Sequence, residues 1–203
     1  MLTGLNDSQK DALKEMISIG AGNAATALSQ MLGKRIDINV PKVHMVSVDR
    51  AHDVFGDAES LIVSVYLQLL GDASGVILFS FKREDASRLA NALLGREQAG
   101  ANMLNEMAQS ALKETATILS GAYLSAIGKM LKMRLLVSSP GLAQDMAGAM
   151  IDDVLIETCK DADSAMIADT EFIIRDEKVV TYFFFIPDTG SISAIMKAMG
   201  VGS

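Results

Sequence analysis

The chain has little with which to form a disulfide, hold a metal or bind a polyanion. Its only cysteine, Cys159, excludes an intramolecular disulfide and a cysteine zinc cluster, and fits a reducing compartment. Two histidines, His44 and His52, are too few for most metal sites. Positive charge is in deficit: 18 Lys and Arg against 25 Asp and Glu leave a net charge of −7, which argues against nucleic acid as the main partner. The first residues show no basic region followed by an apolar run, so no secretory signal is expected. Residues 16–33 are 18 residues without a charge, yet they include Ser18, Asn23, Thr26, Ser29, Gln30 and three glycines, too polar for a lipid-facing span. These absences predict a soluble, cytoplasmic protein without a membrane partner. What is present is apolar: 50% of the 203 residues are hydrophobic, enough for a sizeable core in one domain.

The chain also contains a copy of its own motif. Residues 11–15, Asp-Ala-Leu-Lys-Glu, return 99 positions later as Ser-Ala-Leu-Lys-Glu. The same offset maps Ile19 onto Ile118, Gly22 onto Gly121, Ala27 onto Ala126, Met31 onto Met130 and Pro41 onto Pro140. An ungapped repeat of this kind marks two related halves, about 1–98 and 99–203, within a single domain.

Local signals give each half the order helix, strand, hairpin, helix. Asn6 or Asp7 caps a helix over 8–32 that stops at Gly33. Residues 35–48 read as a strand bent at Pro41, 51–59 as a loop, 61–70 and 75–82 as a hairpin, and 84–94 as a helix. Residues 96–102 read as the linker between halves. In the second half a helix spans 105–131, followed by a strand at 134–138 and a short helix within 140–150. Residues 154–158, 165–175 and 179–186 then read as strands and 191–199 as a closing helix. The expected fold class is α+β: a mostly antiparallel sheet with two long repeat-related helices packed over it.

A helical wheel separates two faces on each long helix. Around Glu15 lie Ser8, Asp11, Ser18, Gly22, Thr26, Ser29 and Gly33; around Glu114 lie Ser110, Thr117, Gly121, Ser125 and Gly128. Opposite them fall Leu13, Met16, Ile17, Ala24, Ala27, Leu28 and Met31, and Leu112, Ala116, Leu119, Tyr123, Ala126, Ile127 and Met130. The polar faces are low, because Ser, Thr and Gly are small. A partner could approach closely, with one carboxylate standing up to meet a cation.

This double pattern resembles the CheC/CheX/FliY family of chemotaxis phosphatases, and its CheC branch most. The family signature is Asp or Ser, three residues, Glu, two residues, Asn, then 22 residues and Pro. Here Asp11, Glu15, Ser18 and Pro41 occupy that spacing, as do Ser110, Glu114, Thr117 and Pro140. The stretch Ile-Gly-Ala-Gly-Asn-Ala-Ala-Thr-Ala at 19–27 also looks like the CheC version of this helix. The resemblance implies binding to a phosphorylated CheY-type response regulator and hydrolysis of its aspartyl phosphate. Glu15 and Glu114 would pair with a lysine of the partner, and Asp11, Gly22, Ser110 and Gly121 would lie in the contact. The Mg²⁺ would belong to the partner, so no cofactor of the chain's own is expected.

The departure is at the family Asn, replaced by Ser18 and Thr117. A carboxamide both accepts from and donates to the attacking water at a fixed reach. A hydroxyl is about one bond shorter, and misplacement of about 1 Å costs roughly 10²-fold in rate. Two readings therefore stand: a phosphatase with altered water-positioning groups, or a non-catalytic adaptor that sequesters the regulator or regulates the deamidase CheD. A third is a flagellar switch component, against which stands the lack of an appended motor domain.

Asp145, expected on a short helix, matches the CheC region associated with docking CheD. Gly22 and Gly121 serve either partner approach or helix packing. Pro41 and Pro140 read as bend-setting residues. Asp152, Asp153, Asp161 and Asp163 lack calcium-loop spacing and read as surface charge. Gly20 to Gly22 is no phosphate loop, since it lies inside a helix. The 13 methionines and the aromatic run at 182–185 read as core, and Cys159 as buried.

Overall fold

The structure, a computed structural model, describes residues 6–95, 104–158, 164–174 and 177–200. The linker at 96–102, Cys159, Asp161 and Asp163 lie outside them.

The first helix, α1 (Asp7–Leu32), is fixed at both ends by its sequence. The Asn6 side chain accepts from the Gln9 amide and the Gln9 side chain accepts from the Asn6 amide, both at 2.9 Å, closing a capping box. Gly33, at φ 60°, takes the left-handed turn that ends it. After α1 come β1 (Ile36–Asn39) and β2 (Val43–Ser47), separated at Pro41, where a ladder amide is missing. A 3-10 helix (Val48–Phe55) replaces the loop expected at 51–59. The hairpin β3 (Leu61–Gly71) and β4 (Gly75–Lys82) leads into α2 (Arg83–Leu94).

The second half repeats the order. It comprises α3 (Glu106–Leu131), β5 (Leu135–Val137), β6 (Gly141–Met146), α4 (Ala147–Thr158), β7 (Ser164–Ile174), β8 (Glu177–Pro187) and α5 (Thr189–Ala198). The 99-residue offset places α1 on α3 end for end, and the start of the 3-10 helix on the start of α4. The short helix expected within 140–150 is strand β6 followed by the first turn of α4, and the strand expected at 154–158 is the last part of α4.

Among the described residues, eight strands form one sheet, antiparallel at every pairing. The hairpins meet at its centre through β4 and β8. The early strands then cross over. Strands β1 and β2 pair with β7 of the other half, and β5 and β6 pair with β3. Each half thus completes the sheet of its counterpart, so long-range pairing rather than local propensity fixes the edge strands.

Both faces of the sheet centre are covered. One carries α1, α2 and α3 over Val63, Val65, Leu67, Phe79, Phe172 and Phe183. The other carries the 3-10 helix and α4 over Ile62, Leu78, Ile167, Phe184 and Ile186. This explains the aromatic run. Phe183 and Phe185 point to the helix layer and Phe184 to the opposite one, as alternation in a strand buried on both sides requires. Helix α1 crosses α3 closely at Gly20: a Cβ there would lie 2.7 Å from Tyr123 Cδ1 and 2.9 Å from its Cα.

The methionines are not all core. Met16, Met150 and Met166 are buried, but Met31, Met107, Met130 and Met146 are exposed. Ala27 is exposed too, because the sheet and α3 cover a narrower arc of α1 than the wheel suggested. Among the described residues, no helix is long and apolar enough to cross a membrane, and no cluster of acids, His and Cys could hold a metal.

Candidate functional site

Asp11, Glu15, Ser18 and Gly22 follow each other at intervals of four, three and four residues, which places them on one stripe of α1. All four are exposed. On α3, Ser110, Glu114 and Gly121 are exposed and Thr117 is half-buried. No hydrogen bond or ion pair among the described residues ties the Glu15 or Glu114 carboxylate. Both acids therefore stand outward, solvated and uncommitted.

The glycines resolve the alternative the sequence left open. A Cβ built on Gly22 or on Gly121 meets nothing within 4 Å, so neither is required by packing within the chain. Gly20, two residues away, is the packing glycine. Gly22 and Gly121 instead keep the outward ridge low beside each acid.

The two hydroxyls share one local geometry. Ser18 Oγ donates to the Lys14 carbonyl at 2.8 Å, and Thr117 Oγ1 donates to the Lys113 carbonyl at 2.9 Å. Each hydroxyl proton is thus committed to the preceding turn of its helix. The oxygen lone pairs remain free to accept a hydrogen bond from outside. The arrangement can hold one hydrogen of a water molecule, but cannot also donate to it without giving up the backbone bond.

Pro140 joins the α3 site in space. A groove is lined by Ser110, Lys113, Glu114 and Thr117 on one side and by Val137, Ser138, Ser139 and Pro140 on the other. Chain geometry explains the long motif spacing. From Thr117 to Leu131 the helix descends 14 residues at ~1.5 Å each, about 21 Å. From Met133 to Pro140 the chain returns over seven residues at ~3.3 Å each, about 23 Å. The out-and-back path closes beside the starting residue. In the first half the path from Ser18 to Leu32 and from Lys34 to Pro41 has the same lengths. The returning strand is held differently in the two copies. Ser29 Oγ binds the backbone of Ile36 at 2.9 and 3.2 Å, whereas Gly128 lets α3 approach Met133, where a Cβ would come within 2.6 Å of the carbonyl oxygen.

Asp145 lies on strand β6, not on a helix. It pairs with Ile62, its side chain accepts from the Met146 amide at 2.7 Å, and it is exposed. It is not among the residues lining the α3 groove. Sequence reasoning passed over Lys14 and Lys113, although the repeat itself marks them: the same cation precedes the acid in both copies.

A model of the CheC-like family matches residues 9–45, which span the first acid motif through Pro41. The chain is similar to the CheY-P phosphatase CheC of Bacillus subtilis, 32% identical over 98% of each chain. It is also similar to the putative CheY-P phosphatase CheC1 of Halobacterium salinarum, 22% identical over 98% of this chain and all of that one. Among solved structures, the fold matches Thermotoga maritima FliY with a TM-score of 0.76 at 19% identity, over 97% of this chain and 98% of that one. By the full-length match at 32% identity, supported by the duplicated motif, the chain belongs to the CheC-like family.

Proposed function

We propose that this protein binds a phosphorylated CheY-type response regulator through α1 and α3 and hydrolyses its aspartyl phosphate. The observation that carries the reading is the pair of unpaired, outward carboxylates, each followed three residues later by a hydroxyl and flanked by an open glycine. Full-length relatives bearing the name CheY-P phosphatase support it.

In this reading Glu15 and Glu114 each bond a lysine of the regulator and fix its orientation. The partner brings Mg²⁺ and the phosphoryl group, and phosphoryl transfer through a loose transition state needs mainly a water held in line. Ser18 Oγ or Thr117 Oγ1 accepts one hydrogen of that water, so that an oxygen lone pair faces phosphorus. The new P–O bond forms as the bond to the aspartyl carboxylate breaks. Both hydrogens of the water leave with the phosphate as dihydrogen phosphate, and the aspartate is freed as its carboxylate.

The adaptor reading has one observation in its favour: both hydroxyl protons are engaged by the helix backbone, so neither group offers the water a donor. Phosphate release from a phosphorylated CheY-type receiver separates the two. A phosphatase accelerates release with Ser18 and Thr117 in place, before Ser18→Asn and Thr117→Asn restore the family side chain. An adaptor gives no acceleration until those carboxamides are introduced.

A further inference from the structure

The two halves differ in charge just beyond their acid motifs. In the first half, positions 30, 33, 35 and 37 are Gln30, Gly33, Arg35 and Asp37; the offset turns them into Lys129, Lys132, Arg134 and Leu136. Arg35 Nε donates to Asp37 at 2.9 Å and is neutralised there. Lys34, the next cation of that half, reaches the Ala92 carbonyl at 3.3 Å. On the second half, Lys129, Lys132 and Arg134 line a groove with Gly121 and Ser125. Among the described residues none of the three side chains makes an ion pair or hydrogen bond. The nearby Asp72 carboxylate accepts from the Arg134 backbone amide at 2.7 Å.

Lys132 adds an independent observation. It is the only non-glycine residue at positive φ among those described, at 53°, where its counterpart Gly33 sits at 60°. Side chains rarely take this conformation, and a long cation there stands against backbone preference. Val137 lines both this groove and the one holding Lys113, Glu114 and Thr117, so the cationic groove adjoins the α3 site.

We propose that this cationic groove docks the carboxylate-lined face of the phosphorylated receiver, and so makes α3 rather than α1 the primary site of engagement. The inference rests on the function proposed above. An aspartyl phosphate is held with Mg²⁺ by carboxylates, so any protein carrying one presents an acidic rim around the reacting atoms. In a chain of net charge −7, an unpaired cationic patch beside the acid motif is complementary to that rim. The unequal charge gives two geometrically related sites unequal capture of the same partner.

The test is association of the whole chain with a CheY-type receiver loaded with beryllofluoride and Mg²⁺, followed by stopped flow over a range of salt. One variant combines Lys129→Gln, Lys132→Gly and Arg134→Gln; Lys132→Gly installs the residue the first half already uses, so the turn is preserved. The control combines Lys34→Gln and Arg35→Gln, the first-half cations that lie beyond its acid motif. The triple variant is expected to associate at least about 10-fold more slowly at low salt, with a flattened salt dependence, while the control stays within about 2-fold of the parent. An unchanged rate and salt dependence in the triple variant, or an equal loss in the control, would overturn the proposal. A parent that does not bind the loaded receiver at all would overturn the phosphatase reading and this inference with it.

Discussion

Replacing Gly22 and Gly121 together with alanine should make the protein more stable and less able to bind its partner. Both glycines lie within long helices, and a Cβ at either meets open space. Alanine in a helix interior is favoured over glycine by about 0.5–1 kcal/mol, so the double variant gains about 1–2 kcal/mol. For a protein of this size that raises the melting temperature by about 2–8 °C. The two methyl groups also raise the ridges beside Glu15 and Glu114, where the partner must approach. A loss of affinity of at least ~10-fold, about 1.4 kcal/mol, is expected for the loaded receiver. Thermal or urea unfolding gives the first number and titration calorimetry the second. If stability falls, the glycines serve internal packing and the open ridge is wrong. If stability rises and affinity is unchanged, the ridge is not the contact surface.

Other outcomes follow from individual residues. Gly20→Ala, two positions away, should destabilise: its Cβ would meet Tyr123 Cα at 2.9 Å, a backbone atom that cannot swing aside. The helices must part, and a net loss of about 1–2 kcal/mol in urea unfolding is expected after the helix-propensity gain. Burial pushes the Tyr123 hydroxyl up to about 12, partly offset by its hydrogen bond with Thr170. The neutral phenol is therefore favoured in the fold, and the stability it confers is intact below the unfolded value near 10 and lost as pH rises to about 12. Tyr123→Phe should remove that alkaline loss, seen as a smaller drop in urea midpoint across this window. Asp188 caps α5; burial raises its pKa, but hydrogen bonds from Ser74, Ser191 and Gly190 outweigh that and hold it low. Its contribution is present above the ordinary carboxylate value and fades as pH falls through the depressed one. Asp188→Ala should cost about 1 kcal/mol at neutral pH and progressively less as pH falls below the ordinary carboxylate value, by urea unfolding across that range.

The two long helices were legible because their signals are local. Asn6 with Gln9 and Asn105 with Ala108 close the starts, and Gly33 closes one end. The repeat then carried that reading to α3. The sheet edges were not legible. Residues 141–146 include Leu, Ala, Gln and Met, good helix formers, and their strand state is imposed by β3, which lies about 80 positions earlier in the chain. Residues 154–158 are rich in β-branched and aliphatic side chains, yet they continue α4. The carboxylates, hydroxyls and glycines of the site were visible as a stripe on a wheel. The groove wall of Val137 to Pro140 was not, since it depends on a strand returning along the helix. The cation at the left-handed turn was also hidden, because Lys132 stands where local rules expect glycine.

Single-turnover phosphate release with Glu15→Ala and Glu114→Ala combined decides whether the two outward carboxylates engage a phosphorylated receiver. The parent should accelerate release from a phosphorylated CheY-type receiver. The double variant, folded as judged by its unfolding curve, should return the rate to that of the receiver alone. A double variant that releases phosphate as fast as the parent would contradict that engagement.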